Sequence, residues 1–451
     1  MRTPTAARLS VAVVAFAGFV LSVLIFYPGI MTYDAKYVYA DISKHVLGDW
    51  QSPVMTVLWA WIDPLAPGPA SMFLLMAALY WIGFAVVGLA LASRSGWLAV
   101  LSPGLAFMPP ALVFVGILWR DVLFAVTWLT ASAIAFAAPG RVSVIRISMQ
   151  GLGLLLCVFG VLLRPNALIA APILATYIIW PARFDGKRLL MAFVPAIVIF
   201  FGLVQFVYYG VLGATRQHPL HSVMVFDLGG ISHFSKENQF PVSWNDAEMK
   251  LLLDGCYQPT QWDIYWRLQP CDFVMRKVEK EEKLFGTPAL TKAWILAIVR
   301  HPIAYLEHRA AFMLNFLAGE NLTMWVVDIE KPTETVFADR PLFSIVENIH
   351  EALKTTPLFR AGSWLIACVA ACLLCWRARN TPEGAFVIGV CGSAAVYVLS
   401  LFLVGVASDF RYGYWSVLAT IAGAVVGLSL LHLGRGELRL RKLREPATQP
   451  T

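Results

Sequence analysis

Charge is what this chain has least of. Asp, Glu, Lys and Arg make up 14% of its 451 residues, where soluble domains carry roughly a quarter; 59% of the residues are hydrophobic and mean hydropathy is +0.68. That balance excludes a water-soluble fold. Cysteine is also sparse. Its seven copies are too few for a disulfide scaffold, and Cys157, Cys368, Cys372, Cys375 and Cys391 fall inside apolar runs, where a thiol serves as a small hydrophobe. There is no Gly-rich phosphate loop, no convincing inverted repeat, and no low-complexity stretch beyond residues 445–451. The net charge of +7 is scattered in short clusters between apolar runs, not drawn into the single basic stripe that nucleic acid requires.

What is present is a series of apolar runs near the length of about 20 residues needed to cross a bilayer. They predict an α-helical polytopic membrane protein with about ten crossings, over 9–27, 69–92, 97–117, 121–138, 147–163, 166–181, 189–211, 358–376, 385–407 and 413–433. Arg2 and Arg8 precede the first run and no small-residue cleavage site follows it, so a retained helix is expected in place of a signal peptide. Basic clusters at Arg94, at Arg141 and Arg146, at Arg183 to Arg188, at Arg377 and Arg379, and from Arg435 to Arg444 recur at every second loop. Short Lys/Arg-rich loops stay cytoplasmic, so both termini are expected there, in a bacterial inner membrane. The apolar run 310–327 contains Asn315, Glu320 and Asn321, and counting it as a crossing would put Arg377 outside. It reads as a docked or interfacial helix.

The chain thus divides into a membrane module over 1–212, a periplasmic domain over 213–357, further crossings over 358–433 and a basic cytoplasmic tail over 434–451. Its first outer loop, 28–68, is too polar to cross. Within it Tyr37 to Val46 and Val54 to Trp61 have the amphipathic, aromatic pattern of short surface helices, separated by Gly48 and Pro53.

Asp34, Lys36, Arg120, Asp121, Arg164, Asp409 and Arg411 all fall at outer ends of the expected crossings, where orientation rules disfavour Arg. Charges so close to hydrocarbon are costly and pair with each other or with a ligand. A lipid phosphate presents its headgroup at this depth. A guanidinium fork holds phosphate oxygens bidentately and keeps its charge, which suits a departing lipid phosphate. A neighbouring carboxylate can take the proton of an attacking hydroxyl. Asp34 is the leading base, with Asp121 the second acid and Asp41 a fallback.

The strings YPGIMTYDAKY, DWQSPVMTVLW, LWRDVLF, LLRPN, HPIAYLEHR and SDFRYGYW, in this order over most of the chain, resemble the multi-spanning GT-C glycosyltransferases, the superfamily of the protein O-mannosyltransferases and the lipid A aminoarabinose transferase. The resemblance implies a catalytic acid at Asp34 and matches the family's second-loop acidic pair with Arg120 and Asp121, which offers one acid; Lys36, Arg120, Arg164, Arg411 and Tyr412 are the residues expected on the substrate. It implies inverting transfer from a polyprenyl-phosphate sugar, which acts as co-substrate, to a glycan, lipid or protein acceptor, with no cofactor or divalent metal required. The chain departs from the family at Ala35 and Lys36, and at Gln51, Ser52 and Pro53 where a His-Pro-Pro string is common.

Other features have narrower meanings. His218, His221, His233 and Asp227 include metal-ligating residue types at poor spacing. Trp262 to Trp266 suit either sugar stacking or an interfacial belt, and Asn321-Leu322-Thr323 matches a glycosylation acceptor. Cys256 and Cys271 are the two cysteines outside the expected crossings, and in an oxidising periplasm they should pair. The rival reading, a transporter or lipid flippase, expects ionisable residues at the bilayer midplane. The expected crossings offer little there beyond Gln150 and Gln205.

Overall fold

The computed structural model describes residues 4–319 and 340–444, with side chains to residue 430. Regular structure among them is helical: α1 (Pro4–Phe26), α2 (Tyr33–Lys44), α3 (Pro53–Ile62), α4 (Pro69–Leu91), α5 (Gly96–Leu105), α6 (Pro109–Leu112), α7 (Arg120–Ala137), α8 (Ser143–Leu163), α9 (Ala171–Ile179), α10 (Gly186–Gln205), α11 (Leu220–Ser235), α12 (Asp246–Lys250), α13 (Phe273–Met275), α14 (Pro288–Arg300), α15 (Pro302–Ala318), α16 (Pro341–Leu353), α17 (Ala361–Cys375), α18 (Pro382–Val404) and α19 (Tyr414–Arg444).

Eight helical segments among the described residues are long and apolar enough to cross a membrane, or nine if the pair 96–105 and 109–116, bent by 58°, is one span. The outward faces of α8 and α10 are apolar, with Ile147, Leu155, Leu190, Val194, Val198 and Phe201 all exposed. A helix apolar on its exposed face needs lipid around it. Two expected crossings are built differently. Residues 97–117 break at Ala106–Met108 ahead of Pro109 and Pro110. Residues 166–181 form a 3-10 turn, Pro165–Ile169, and then the nine-residue α9. Pro165 disfavours helix at Arg164, so α8 stops at Leu163 and the chain bends.

α7 is the hub of the membrane module, packed against α4, α8 and α19 with nearly every side chain buried. Close approach rests on small residues: a Cβ at Gly160 would meet the Trp128 indole, and one at Gly18 would meet Trp81. In the first outer loop both expected short helices form, as α2 and α3. Ser52 caps α3 by accepting from Met55 N, and Pro53 stands at its first turn.

A second core lies between α11, α14 and α15, where Phe226, Ile231, Tyr265, Phe312 and Phe316 are buried. Cys256 and Cys271 are disulfide-bonded within it, Cα–Cα 5.6 Å. At its centre Asp227 and Arg309, both without solvent exposure, pair at 2.7 Å. Asp227 also receives Trp294 Nε1 at 2.7 Å and faces His308 Nε2 at 3.1 Å. Desolvating such a pair is offset only when its remaining polar atoms are also engaged. Arg309 Nη1 donates to Gly405 O at 2.7 Å, tying this core to the segment between α18 and α19. The run 310–327 begins as the end of α15, docked by Phe312 and Phe316; Glu320 and the Asn321-Leu322-Thr323 acceptor lie outside the described residues.

Candidate active site

The site is assembled at the ends of several helices. After α1, Gly29 takes φ +110°, a conformation a side chain would strain. The next residue pairs across to the segment before α7, with Ile30 N donating to Gly116 O at 2.8 Å and Leu118 N to Ile30 O at 3.1 Å. This registers Thr32 beside Trp119, whose Nε1 donates to Thr32 Oγ1 at 2.7 Å. Asp34 follows in the first turn of α2, where the helix dipole favours a negative charge.

Arg411 arrives from the far end of the chain. Asp409 accepts from Arg411 N at 3.0 Å and lies 3.0 Å from its Nε, while Arg411 Nη1 reaches Asp34 Oδ2 at 2.7 Å. The guanidinium also lies over the Trp119 ring, 4.5 Å from its centroid. The other oxygen of Asp34 accepts from Gln51 Nε2 at 3.2 Å. Asp34 keeps 32% side-chain exposure, so a substrate atom can reach it.

Arg164, at the bend after α8, is the second guanidinium. Its Nε pairs with Asp121 Oδ1 at 3.0 Å and faces Tyr397 OH at 3.4 Å. Tyr412 stands between the two cations, its ring centroid 4.7 Å from Arg164 Cζ and 5.2 Å from Arg411 Cζ. The third, Arg120, donates to Trp50 O at 3.0 Å. Trp50 is itself pinned, because its N–H donates to Gln217 Oε1 at 2.9 Å and the adjacent Asp49 accepts from Gln217 N and Tyr209 OH. Of the three guanidiniums, Arg120 alone makes no direct ion pair among the described residues.

Electrostatics follow from this packing. Burial works to raise the Asp34 carboxyl, but Arg411, Arg120 and Arg164 outweigh it and hold it below its ordinary value, so it is a carboxylate at neutral pH. Asp409 goes the other way: burial lifts it to about 6 against the pull of Arg411, with Asp121 and Asp34 adding repulsion.

Of the residues expected from sequence, Asp34, Arg120, Asp121, Arg164, Arg411 and Tyr412 come together here. Asp121, at 4% exposure, pairs with Arg164, itself 5% exposed. Lys36 stands apart. It is exposed two residues beyond Asp34, which on a helix is a turn of about 200°, so it faces away from the carboxylate. Asp41 lies about two turns along α2.

Trp50, Trp119 and Tyr397 were not singled out by sequence, since each is an ordinary aromatic until its neighbour is known, and Gln51 stood out only as a departure from the family's His-Pro-Pro string. Asp409, two residues before Arg411, was visible as a boundary charge. The histidines do not gather around Asp227, although His218 and His221 lie together with ring centroids 5.5 Å apart. His221 Nδ1 accepts from Gly286 N at 3.0 Å, His233 stacks on Tyr257 at 4.7 Å, and Asp227 is spent on Arg309. Among the described residues no group of three or more His, Cys, Asp or Glu is arranged to hold a metal ion.

No known protein family matches this chain, and no curated protein does. Among solved structures it is similar to the archaeal oligosaccharyltransferase AglB from Archaeoglobus fulgidus, solved with an inhibitory peptide and a dolichol-phosphate. Identity is 14%, the TM-score is 0.40, and the overlap covers 98% of this chain and 52% of that one. The chain thus spans about half the length of that structure.

Proposed function

We propose that this protein is an inverting glycosyltransferase of GT-C type that moves a monosaccharide from a polyprenyl phosphate to a cell-envelope acceptor at the outer face of the membrane. The observation that carries the reading is a substrate-accessible carboxylate, Asp34, held among three guanidiniums at one end of a helical membrane bundle.

In this reading the lipid phosphate docks on Arg120, the guanidinium without an ion pair among the described residues, and on Arg411, while its tail stays in lipid. The phosphate competes with Asp34 for Arg411. As that pair loosens, Asp34 loses the cation that held its proton affinity down and becomes a better base. The acceptor hydroxyl attacks the anomeric carbon from the face opposite the phosphate and gives its proton to Asp34. The new oxygen–carbon bond forms as the bond from carbon to phosphate oxygen breaks, and the electron pair leaves on the polyprenyl phosphate. Arg120, Arg411 and Arg164 stabilise that charge, and Asp121 and Asp409 hold Arg164 and Arg411 in place.

The test supplies membranes containing the protein with a panel of radiolabelled polyprenyl-phosphate sugars. Transfer of label from at least one donor, abolished by Asp34→Asn, is expected. No transfer from any donor, or transfer indifferent to Asp34, rejects the reading.

A further inference from the structure

The disulfide encloses a loop, residues 257–270, that carries three groups with no role in the chemistry above: Trp262, Asp263 and Trp266. The loop is fixed to the segment that presents Arg411. Trp262 N donates to Val406 O at 2.8 Å, Ser408 N donates to Thr260 O at 2.6 Å, and Gln261 pairs with Ala407.

Three indoles run outward from the site. Trp50, whose neighbour Gln51 donates to Asp34, lies 5.8 Å from Trp262. Trp262 is 6% exposed and stacks on Trp266 at 6.2 Å and 14° between planes; Trp266 is 40% exposed. One face of Trp266 is therefore backed by a buried indole and the ring remains accessible. Beside it Asp263 and Arg267 lie 3.5 Å apart, with Arg267 45% exposed and its Cζ 6.0 Å from the Trp266 centroid.

We propose that Trp266, backed by Trp262 and flanked by Asp263 and Arg267, is a carbohydrate platform that holds a glycan acceptor with one hydroxyl turned towards Asp34. The proposal rests on the glycosyltransferase reading and adds the chemical class of its acceptor. A sugar ring presents polarised C–H bonds that the negative face of an indole attracts. Its hydroxyls need paired acceptors and donors at the ring's edge, which a carboxylate beside a guanidinium supplies. An indole of an interfacial belt needs neither the backing ring nor the ion pair. The platform is also continuous with the site: burial raises the Asp263 carboxyl, Arg267 opposes this, and the charges of Asp34 and Arg411 both act on it.

The experiment measures binding of soluble hexasaccharides of glucose, mannose, N-acetylglucosamine and arabinose, and of a hexapeptide pool, to purified full-length protein. At least one hexasaccharide should bind. Trp266→Ala should weaken it about tenfold or more, and Trp266→Phe should keep most of it. The platform is overturned by binding of none of the hexasaccharides, by preference for the peptides, or by equal glycan binding in wild type and Trp266→Ala. Donor transfer is scored separately. Asp34-dependent transfer without glycan binding removes only the platform, whereas glycan binding without transfer from any donor removes the glycosyltransferase reading.

Discussion

Asp34 and Arg411 stand 377 positions apart and meet at 2.7 Å between Oδ2 and Nη1. Each is held from a second side, Asp34 by Gln51 and Arg411 by Asp409. The pair is therefore fixed in place, and in the proposed reaction a lipid phosphate would offer Arg411 an alternative anion.

Removing the base leaves this geometry nearly intact. Asp34→Asn keeps an acceptor oxygen for Arg411 and should fold as wild type, yet turnover with a labelled donor should fall by about a hundredfold or more. Turnover near wild type would take the role of base away from Asp34.

Arg411→Lys retains charge and loses the fork. Nε serves Asp409 while Nη1 serves Asp34, and one ammonium on a flexible stem cannot reproduce that arrangement. Donor affinity should fall measurably in an equilibrium assay with a polyprenyl phosphate. Unchanged affinity would exclude Arg411 from the phosphate site.

Asp409 sets a pH dependence. Its folded value of about 6 lies above the ordinary 3.8, because burial outweighs Arg411. Its contribution to stability is therefore complete below pH 3.8 and is lost as pH rises through about 6. Asp34, lowered on folding, contributes above 3.8 and loses that contribution only as pH falls through its depressed value. Between pH 4 and 7 the melting temperature should fall more steeply with rising pH in wild type than in Asp409→Asn. Equal slopes would mean that Asp409 does not titrate there.

The Cys256–Cys271 bridge closes a loop of about 15 residues, a constraint of roughly 3 kcal/mol in the chain-entropy view. That loop also holds Val406 and Ser408, so reduction should lower thermal stability and transfer together. A membrane-impermeant maleimide applied to intact cells should label neither cysteine before reduction and both after it. Labelling without reduction would argue against an oxidised, outward-facing domain.

In the second core, Asp227→Ala would strand Arg309 in a site with no solvent access. The expected loss of stability is about 3–5 kcal/mol, the range for breaking a buried pair from one side. It should register as a large drop in melting temperature of the purified protein. A change within error would mean that water or another anion reaches Arg309.

Much of this molecule was legible without coordinates, because a bilayer imposes a one-dimensional rule. Each crossing must be an apolar run of sufficient length, so α1, α4, α8, α10 and α18 declare themselves, as do the boundary charges Asp34, Arg120, Arg164 and Arg411 that hydrocarbon would not tolerate unpaired. Apolarity marks a segment as buried in lipid or protein without saying which, and so 166–181 resembled a crossing until Pro165 turned it into a short packed helix. Partnership was beyond reach for a related reason. Whether Asp121 touches substrate or holds Arg164, and whether Trp262 meets lipid or Trp50, depend on rotations and registers between helices distant in sequence. Packing across α7, α18 and the start of α19 sets those rotations, and no local pattern encodes them.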